Sequence, residues 1–141
     1  MTSTISPILL VEDSLTDVDL TKRALARHRV ANPVVVARDG EEALAYLPRW
    51  EAGESLPVVI LLDLHLPKVD GLQVLSRIKS HPQFRAIPVV VLTTSSEDRD
   101  MQTAYQLGAN SYIVKSVDFD KFMQVAEQIE LYWCVLNTMP T

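Results

Sequence analysis

The chain has 141 residues, of which 48% are hydrophobic, so it can bury a substantial core but has no room for a second folded domain. Its 18 acidic residues outnumber the 13 Lys and Arg residues and give a formal net charge of −5, which excludes the basic surface that nucleic-acid binding requires. Cys134 is the only cysteine, which excludes an internal disulfide, and no apolar run approaches membrane-spanning length. We therefore expect a single cytoplasmic domain over residues 1–141, with its core at about 7–137 and no contact with a membrane.

Strand-like and helix-like segments alternate from the start of the chain. The apolar residues at 8–11 predict a buried strand, and Ser14 is the predicted cap of the following helix, with Asp17 as its capping-box partner. The inner face of this helix is predicted to consist of Leu15, Val18 and Leu25. A second strand is predicted at 34–37, so this part of the chain is typical of a strand-helix-strand unit.

The segment between the second and third strands contains a helix and a long loop. The predicted helix follows Asp39 and ends at Pro48, and its buried side chains are Ala43, Leu44 and Leu47. The connection from Pro48 to Pro57 has about ten residues, where such loops usually have about two to six. Two interpretations remain: the loop faces a partner, or it is a surface insertion in which Trp50 packs back on the domain, and we favour the second.

The second half of the chain continues the alternation. We predict a strand at 58–62, a helix at about 72–79, a strand at 89–92, a helix that begins after Ser96 and ends at Gly108, a strand at 111–114, and a last helix capped by Asp118. The inner stripe of the last helix comprises Phe119, Phe122, Ala126, Ile129 and Trp133. Five strands alternating with five helices predict an α/β fold with a doubly wound parallel sheet.

Polar residues follow four of the predicted strands, at the point where each strand ends. They are Glu12 and Asp13, Asp63, Thr93 and Thr94, and Lys115. Because the carboxyl ends of parallel strands meet at one edge of a sheet, we expect these side chains to form one pocket. Clustered carboxylates repel one another unless a cation joins them, and Mg²⁺ is the natural cation for a set of oxygen ligands. With the Lys115 ammonium and the Thr93 hydroxyl, this set predicts a site that can accept a phosphoryl group.

Four sequence strings carry a resemblance to a known family. They are LLVED ending at Asp13, ILLDLHLPKVDG around Asp63, PVVVLTT ending at Thr93 and Thr94, and GANSYIVK ending at Lys115. In this order, at the ends of the predicted strands, they resemble the receiver domains of the response regulators of two-component signalling, over about residues 7–137. The resemblance implies a flavodoxin-like five-stranded sheet in the order 2-1-3-4-5, with five helices.

The family resemblance implies a role for each matched residue. Asp63 is the implied phosphoacceptor, which takes the phosphoryl group from a phosphohistidine of a sensor histidine kinase. Asp13, Asp63 and the backbone carbonyl of His65 are the implied Mg²⁺ ligands, while Glu12 holds metal-bound water. Such a domain assists its own phosphorylation and dephosphorylation but is not an enzyme that acts on other substrates.

Three further residues have implied roles in binding and reading the phosphoryl group. Lys115 pairs with the phosphoryl oxygens, and Thr93 moves in to donate a hydrogen bond to them. Tyr112 matches the family's switch aromatic, although an aromatic residue in an edge strand can also be a plain core residue.

Two residues depart from the family pattern. Thr94 stands where the family most often has Ala or Gly, and we expect its extra bulk to restrict access to the phosphoryl group and to slow its loss. Ser116 follows Lys115 where receivers usually carry proline. A cis peptide before a non-proline residue costs about 2.5 to 4 kcal/mol, so we expect a trans peptide or a shifted loop at Lys115-Ser116.

A subgroup resemblance concerns the partners. The long loop before the third strand, the string VVVLTTSSE and the string LYW in the last helix are similar to single-domain receivers that pair with cyanobacterial phytochromes. This similarity implies a phytochrome-type histidine kinase as phosphodonor and a homodimer formed through the fourth helix, the fifth strand and the last helix. Further apolar residues of the last helix either contact a partner or cover the domain's own edge; they are Met123, Tyr132, Val135 and Leu136.

Two alternatives to a phosphoaccepting receiver are an unphosphorylated pseudo-receiver scaffold and a small phosphohydrolase with Asp63 as nucleophile. A pseudo-receiver should lack one of the acidic residues or the lysine, and none is missing from the sequence. A phosphohydrolase of the haloacid-dehalogenase type needs an acid two residues after the nucleophile, where this chain has His65. Reaction with a small phosphodonor separates the three classes.

Overall fold

Five parallel strands form one sheet, in the order β2-β1-β3-β4-β5, in the computed structural model, which describes residues 6–27, 32–115, 124 and 127. The strands are β1 (Ile8–Val11), β2 (Val34–Ala37), β3 (Val59–Leu62), β4 (Val89–Thr93) and β5 (Ser111–Val114). The helices are α1 (Leu15–Arg27), α2 (Gly40–Leu44), α3 (Tyr46–Glu51), α4 (Gly71–Lys79) and α5 (Asp98–Gln106). This strand order confirms the predicted flavodoxin-like, doubly wound fold.

The three central strands are buried on both faces of the sheet. Every residue of β1, β3 and β4 is buried, whereas the edge strands β2 and β5 are mostly half-buried. Alternate residues enter two separate cores, because successive side chains of a strand point to opposite faces. Leu9 and Ile60 pack with residues of α2 to α5, whereas Leu10 and Leu61 pack with residues of α1. Helices therefore cover both faces, which explains the nearly continuous apolar strand sequences.

Helix α1 begins at the predicted cap but buries fewer of the predicted residues. The Ser14 Oγ accepts a hydrogen bond from the Asp17 N–H at 3.2 Å, as expected for a cap. Val18 and Leu25 are buried, but Leu15 is 67% exposed, so its assignment to the inner face is wrong. At about 100° per residue, the Leu15 side chain is rotated by roughly 60° or more away from the buried stripe.

The connection between β2 and β3 contains two short helices instead of one. The prediction that the helix after Asp39 ends at Pro48 is wrong. Pro48 lies in the first turn of α3, where its missing N–H breaks no helical hydrogen bond. Trp50 is only 5% exposed and meets Phe84 edge to face, with 5.3 Å between the ring centroids. Trp50 therefore packs back on the domain, as the favoured interpretation of the long connection states.

The start of α4 lies directly against the end of β3. Asp70 caps the helix in a capping box with Gln73, and its Oδ1 accepts the Leu72 N–H at 2.8 Å. A Cβ on Gly71 would lie 2.3 Å from the carbonyl oxygen of Asp63, so only glycine allows this close approach. The contact fixes the backbone that carries Asp63.

The opposite end of α4 is held by Lys79. The Lys79 Nζ donates hydrogen bonds to the backbone oxygens of Arg85 at 3.0 Å and Ile87 at 2.7 Å, and to the Asn110 Oδ1 at 3.0 Å. These three neutral acceptors match the three N–H donors of an ammonium group. Burial lowers the pKa of Lys79 to about 8, because desolvation disfavours the charged form. Lys79 thus joins α4 to the segments that precede β4 and β5.

Helix α5 and strand β5 are the last two elements that the structure describes in full. Gly108 follows the end of α5 with a φ of 106°, the left-handed backbone predicted for this stop. The following predictions lie outside the described residues: the peptide at Ser116, the cap at Asp118, the inner stripe of Phe119, Phe122, Ala126, Ile129 and Trp133, and the apolar residues Met123, Tyr132, Val135 and Leu136. In the part of the chain that the structure describes, no helix combines the length and apolar character of a membrane span.

Candidate functional site

Side chains from four strand ends converge at the carboxyl edge of the sheet. Glu12 and Asp13 follow β1, Asp63 follows β3, Thr93 ends β4, and Lys115 follows β5. Glu12 and Asp63 are almost fully buried, Thr93 is completely buried, and Asp13 is exposed. The structure therefore brings together, at one edge, the polar residues that end separate strands in the sequence.

Three carboxylates at this edge are close enough to bind one cation together, and we call them the acidic cluster. One oxygen each from Glu12, Asp13 and Asp63 lies within 4.8 Å of the others. An oxygen-only donor set with several negative charges fits a hard divalent ion such as Mg²⁺ or Mn²⁺. The Asp63 Oδ1 also accepts the N–H of His65 at 3.2 Å, while the His65 side chain is exposed. The donor set of the acidic cluster thus fits a divalent metal.

The charges of the site shift the proton affinity of its members. Burial raises the pKa of Glu12 to about 7; the Lys115 hydrogen bond lowers it and the negative charge of Asp63 raises it further. Burial alone would lower the pKa of Lys115, but its carboxylate partners outweigh this effect, so its pKa lies above the ordinary value for lysine. The Lys115 ammonium therefore remains charged at neutral pH and stabilises the ionised acids around it.

Lys115 contacts three carboxylates, one of which the sequence did not assign to the site. Its Nζ donates hydrogen bonds to Glu12 Oε1, to Asp17 Oδ2 at 2.9 Å and to Asp63 Oδ2 at 3.3 Å. Asp17 was assigned only to a capping box, but the Ser14 N–H donates to Glu12 Oε2 at 3.2 Å instead. Asp17 lies in the first turn of the helix that begins directly after Glu12 and Asp13, and this short separation in sequence is the signal that could have placed it near the site.

Thr93 and Tyr112 are connected through Ser95, a residue that the sequence did not single out. The Thr93 Oγ1 accepts the Ser95 N–H at 3.3 Å, and the Tyr112 hydroxyl donates to the Ser95 carbonyl oxygen at 2.9 Å. The Ser95 Oγ donates to Asp100 Oδ2 at 2.6 Å, which ties the loop after β4 to the first turn of α5. The two predicted switch residues therefore share one hydrogen-bonding neighbour. Thr94 directly follows Thr93 and is exposed.

Arg38 is a second basic residue at this edge that the sequence did not single out. It directly follows β2, and its Nη2 donates a hydrogen bond to the backbone oxygen of Asp13 at 3.0 Å. The contact holds the backbone of the exposed acid against the neighbouring strand. Its signal in the sequence is the same as that of the acids, a polar residue directly after an apolar strand.

The sequence matches one family model over most of its length. Residues 8–127 match the response regulator receiver domain. The probable methanogenesis regulatory protein FilR2 of Methanothrix harundinacea is 47% identical over 134 residues, which cover 94% of this chain and 86% of that protein. The response regulator Rcp1 of Synechocystis sp. is 40% identical over 135 residues, which cover 94% of this chain and 92% of Rcp1.

Solved structures share the fold over nearly the whole chain. The phosphorylated cyanobacterial phytochrome response regulator RcpA has a TM-score of 0.88 and 45% identity, covering 96% of this chain and 99% of that one. The Mn²⁺-bound form of Rcp1 has a TM-score of 0.87 and 38% identity, covering 96% of this chain and 99% of that one. The family match spans every residue of the acidic cluster as well as Thr93 and Lys115. The chain therefore belongs to the response regulator receiver domain family and is similar to the response regulator Rcp1 and to the phytochrome response regulator RcpA.

Proposed function

We propose that this chain is a phosphoacceptor response regulator that takes a phosphoryl group onto Asp63 from a histidine kinase in the cytoplasm. The observation that carries the proposal is the position of Asp63, which is almost fully buried at the carboxyl edge of the sheet. The Lys115 Nζ lies 3.3 Å from its Oδ2. A carboxylate beside a fixed cation and two further acids has the groups that phosphoryl transfer needs.

The proposed reaction uses the side chains at the strand ends in different ways. A carboxylate oxygen of Asp63 attacks the phosphorus of the kinase phosphohistidine, the P–N bond breaks, and the imidazole leaves with the electron pair of that bond. Lys115 neutralises part of the charge on the phosphoryl oxygens. Thr93 donates a hydrogen bond to one of these oxygens from its hydroxyl.

The metal of the proposed reaction is Mg²⁺. Asp13, Asp63 and the backbone carbonyl of His65 would hold the ion, with Glu12 as the remaining acid of the cluster. When bound, Mg²⁺ supplies positive charge against the phosphoryl oxygens. The support for this assignment is the three-carboxylate cluster itself, together with the Mn²⁺-bound form of the relative Rcp1.

The proposed signal passes from Thr93 to Tyr112. Movement of the Thr93 hydroxyl toward the phosphoryl group would break its hydrogen bond with the Ser95 N–H, now 3.3 Å long. The Ser95 carbonyl accepts the Tyr112 hydroxyl, so a change in this loop also reaches Tyr112. We infer that Thr93 and Tyr112 act as the switch that alters the surface around β5.

Reaction with acetyl phosphate and Mg²⁺ tests the acceptor. We expect a stable adduct, seen by mass spectrometry as the addition of one phosphoryl group, that is absent in Asp63→Asn. Asp98→Asn changes an exposed aspartate in the first turn of α5 and is the matched control that should keep the adduct.

The other outcomes of this reaction identify the alternative classes. Continuous release of inorganic phosphate that depends on Asp63 would indicate a phosphohydrolase instead of a receiver. Neither adduct nor phosphate release would indicate a pseudo-receiver scaffold. An adduct of undiminished yield in Asp63→Asn would contradict the assignment of the acceptor.

We infer that the phosphodonor is a phytochrome-type histidine kinase. The support is the similarity to RcpA, which is described as a cyanobacterial phytochrome response regulator. The similar protein FilR2 is described as a methanogenesis regulator, so relatives of this chain act in more than one signalling context. We expect labelled phosphate to move from an autophosphorylated phytochrome kinase to this chain but not to Asp63→Asn. Faster transfer from a kinase without a phytochrome sensor would contradict the pairing.

We propose a homodimer formed through α5, β5 and the last helix. Two large apolar side chains are exposed on the described elements of this surface, Tyr105 on α5 with 49% and Val114 on β5 with 40%. Tyr105→Glu should therefore give a monomer in sedimentation experiments. Leu15→Glu introduces the same charge at an exposed apolar position on α1 and should leave the dimer intact. A wild-type protein that stays monomeric at high concentration, phosphorylated or not, would contradict the dimer.

We propose that Thr94 slows the loss of the phosphoryl group. The support is its position, exposed and directly after Thr93, where its bulk can restrict the approach of water to Asp63. Thr94→Ala should shorten the lifetime of the adduct several-fold, measured by its decay after removal of acetyl phosphate. Thr16→Ala, an exposed threonine on α1, is the control. Rapid decay that Thr94→Ala leaves unchanged would contradict the proposal.

A further inference from the structure

We propose that Asp17 is a positioning residue for Lys115, which fixes the ammonium beside the acceptor and thereby sets the affinity of the acidic cluster for Mg²⁺. The inference rests on the proposed function of Asp63. Its starting observation is the 2.9 Å contact between Asp17 Oδ2 and Lys115 Nζ, which joins the first turn of α1 to the end of β5. This contact is shorter than the 3.3 Å between Lys115 Nζ and Asp63 Oδ2.

Helix α1 holds the Asp17 carboxylate in place. The Asp17 N–H donates to Ser14 Oγ at 3.2 Å, and the Ser14 N–H donates to Glu12 Oε2 at 3.2 Å. In a capping box the acid of the first turn accepts the N–H of the cap residue, but here Glu12 already accepts it. The Asp17 carboxylate is therefore free to pair with Lys115. The Asp17 backbone is connected to Glu12 through the hydrogen bonds of Ser14.

The three N–H donors of Lys115 are divided between two kinds of acid. Glu12 and Asp63 belong to the acidic cluster, whose oxygens also fit a divalent cation. Asp17 does not belong to this cluster. Among the three acids that Lys115 contacts, Asp17 is therefore the partner for which a metal in the cluster does not compete.

The division has a consequence for metal binding. Mg²⁺ and the Lys115 ammonium are both attracted to the oxygens of Glu12 and Asp63, so each weakens the binding of the other. Asp17 gives the ammonium a fixed partner outside the cluster, which allows Lys115 to stay beside Asp63 while it gives up part of its contact there. Without Asp17, the carboxylates that the Lys115 ammonium contacts among the described residues are Glu12 and Asp63, both acids of the cluster, and Mg²⁺ must displace the ammonium from them.

A double-mutant cycle measured by calorimetric titration of Mg²⁺ tests this role. Asp17→Asn should weaken Mg²⁺ binding by about threefold to tenfold when Lys115 is present, and by less than about twofold in the Lys115→Met background. Asp17→Glu restores a carboxylate and should recover most of the wild-type affinity. Asp19→Asn is the matched control with little effect, because Asp19 lies on the same helix but pairs with Arg23 at 3.0 Å.

The cycle distinguishes positioning from a general effect of negative charge. Equal weakening in both backgrounds would overturn the inference, because Asp17 would then act without Lys115. Unchanged affinity in Asp17→Asn, in a wild type that binds Mg²⁺ and forms the Asp63 adduct with acetyl phosphate, would overturn the inference alone. A wild type that binds Mg²⁺ but forms no adduct would overturn the proposed function, and one that binds no Mg²⁺ would overturn both. Circular dichroism of each variant checks its folding. If Asp17→Asn is poorly folded, the Mg²⁺ affinity of Asp17→Glu decides: an affinity near that of the wild type supports the inference, and a loss in a folded Asp17→Glu protein overturns it.

Discussion

The two ends of the sheet each hold a half-buried lysine, and the partners of the two lysines differ in charge. At the carboxyl edge, Lys115 contacts the carboxylates of Glu12, Asp17 and Asp63, and its pKa lies above the ordinary value. At the opposite end, Lys79 contacts three neutral oxygens, and burial lowers its pKa to about 8. The same side chain thus has opposite pKa shifts in two polar surroundings.

This difference in the charge of the partners distinguishes a binding site at Lys115 from a purely structural contact at Lys79. The acceptors of Lys79 use its three donors but are neutral, so they add no negative charge that could attract a further cation. The carboxylates around Lys115 carry more negative charge than one ammonium can neutralise, so this edge can bind a further cation. Uncompensated negative charge, and not the burial of a lysine, therefore marks the functional end of the sheet.

Lys115→Ala should have the largest effect of the variants that test this comparison. Without the ammonium, the rate of Asp63 phosphorylation by acetyl phosphate should fall on the order of 100-fold, the usual cost of removing one preorganised charged donor. The rate is measured from the time course of adduct formation by mass spectrometry. Lys79→Ala should leave this rate unchanged, because Lys79 lies at the opposite end of the sheet. Similar losses in the two variants would mean that both lysines act through stability.

Lys79→Met should lower stability without slowing phosphorylation. Loss of the donor removes a hydrogen bond from the backbone oxygens of Arg85 and Ile87, while Asn110 Oδ1 still accepts the Val89 N–H at 2.9 Å, so the free energy of unfolding should fall by about 1 to 3 kcal/mol. Urea denaturation followed by circular dichroism measures the change. Lys22→Met, at an exposed position of α1, should stay within about 0.5 kcal/mol of the wild type. An equal loss of stability in Lys22→Met would contradict the assignment of the stability loss to the hydrogen bonds of Lys79.

The affinity for Mg²⁺ should depend on pH through Glu12. Because burial raises the pKa of Glu12 to about 7, this acid becomes protonated between pH 8 and pH 6 and loses its negative charge. Mg²⁺ binding, measured by calorimetry, should therefore weaken by roughly threefold to tenfold over this range. Glu12→Gln should bind more weakly at pH 8 and change less with pH. An unchanged pH dependence in this variant would assign the titration to another group.

Arg23→Ala should have the smallest effect. Arg23 pairs with Asp19 at 3.0 Å, but their side chains are 75% and 62% exposed, and water screens such pairs strongly. We expect the midpoint and slope of urea denaturation to remain those of the wild type. A clear shift would show that exposed ion pairs contribute here as much as the buried lysines do, which would weaken the comparison.

The acidic cluster could be placed from the sequence because short local patterns define the strand ends. Apolar runs of four or five residues form β1, β3 and β4, and a polar residue after each run lies at the carboxyl edge. Glu12, Asp63 and Thr93 follow directly from this pattern. The order of the strands comes from the family resemblance, since apolar runs alone do not specify which strands are neighbours.

Contacts between distant parts of the chain could not be predicted in this way. Asp17 and Lys115 are 98 positions apart, and neither local pattern indicates that they meet. Ser95 contacts Thr93 and Tyr112 through its backbone N–H and carbonyl, groups that every non-proline residue has. These contacts can be identified only when the strands are placed side by side.

The errors in the helices have a local cause. The spacing of the apolar residues in α1 predicts that Leu15 is buried, but Leu15 is exposed. A rotation of roughly 60° about the helix axis, less than the roughly 100° between successive residues, is enough to move a side chain from the core to solvent. Pro48 was assigned as a helix end, although proline also fits the first turn of a new helix. The Leu15 error concerns rotation about the axis of a helix that begins at its predicted cap, whereas the Pro48 error concerns where a new helix starts, which is the least certain part of a sequence pattern.

The contact between Gly71 and the end of β3 makes the intervening loop a closed ring. The Gly71 N–H donates to the Leu64 carbonyl oxygen at 3.0 Å, and a Cβ at Gly71 would collide with the backbone of Asp63. His65 and Lys68, which lie on this ring, are exposed. Replacement of these exposed side chains can therefore change the outer surface of the loop without moving the carboxylate at its base.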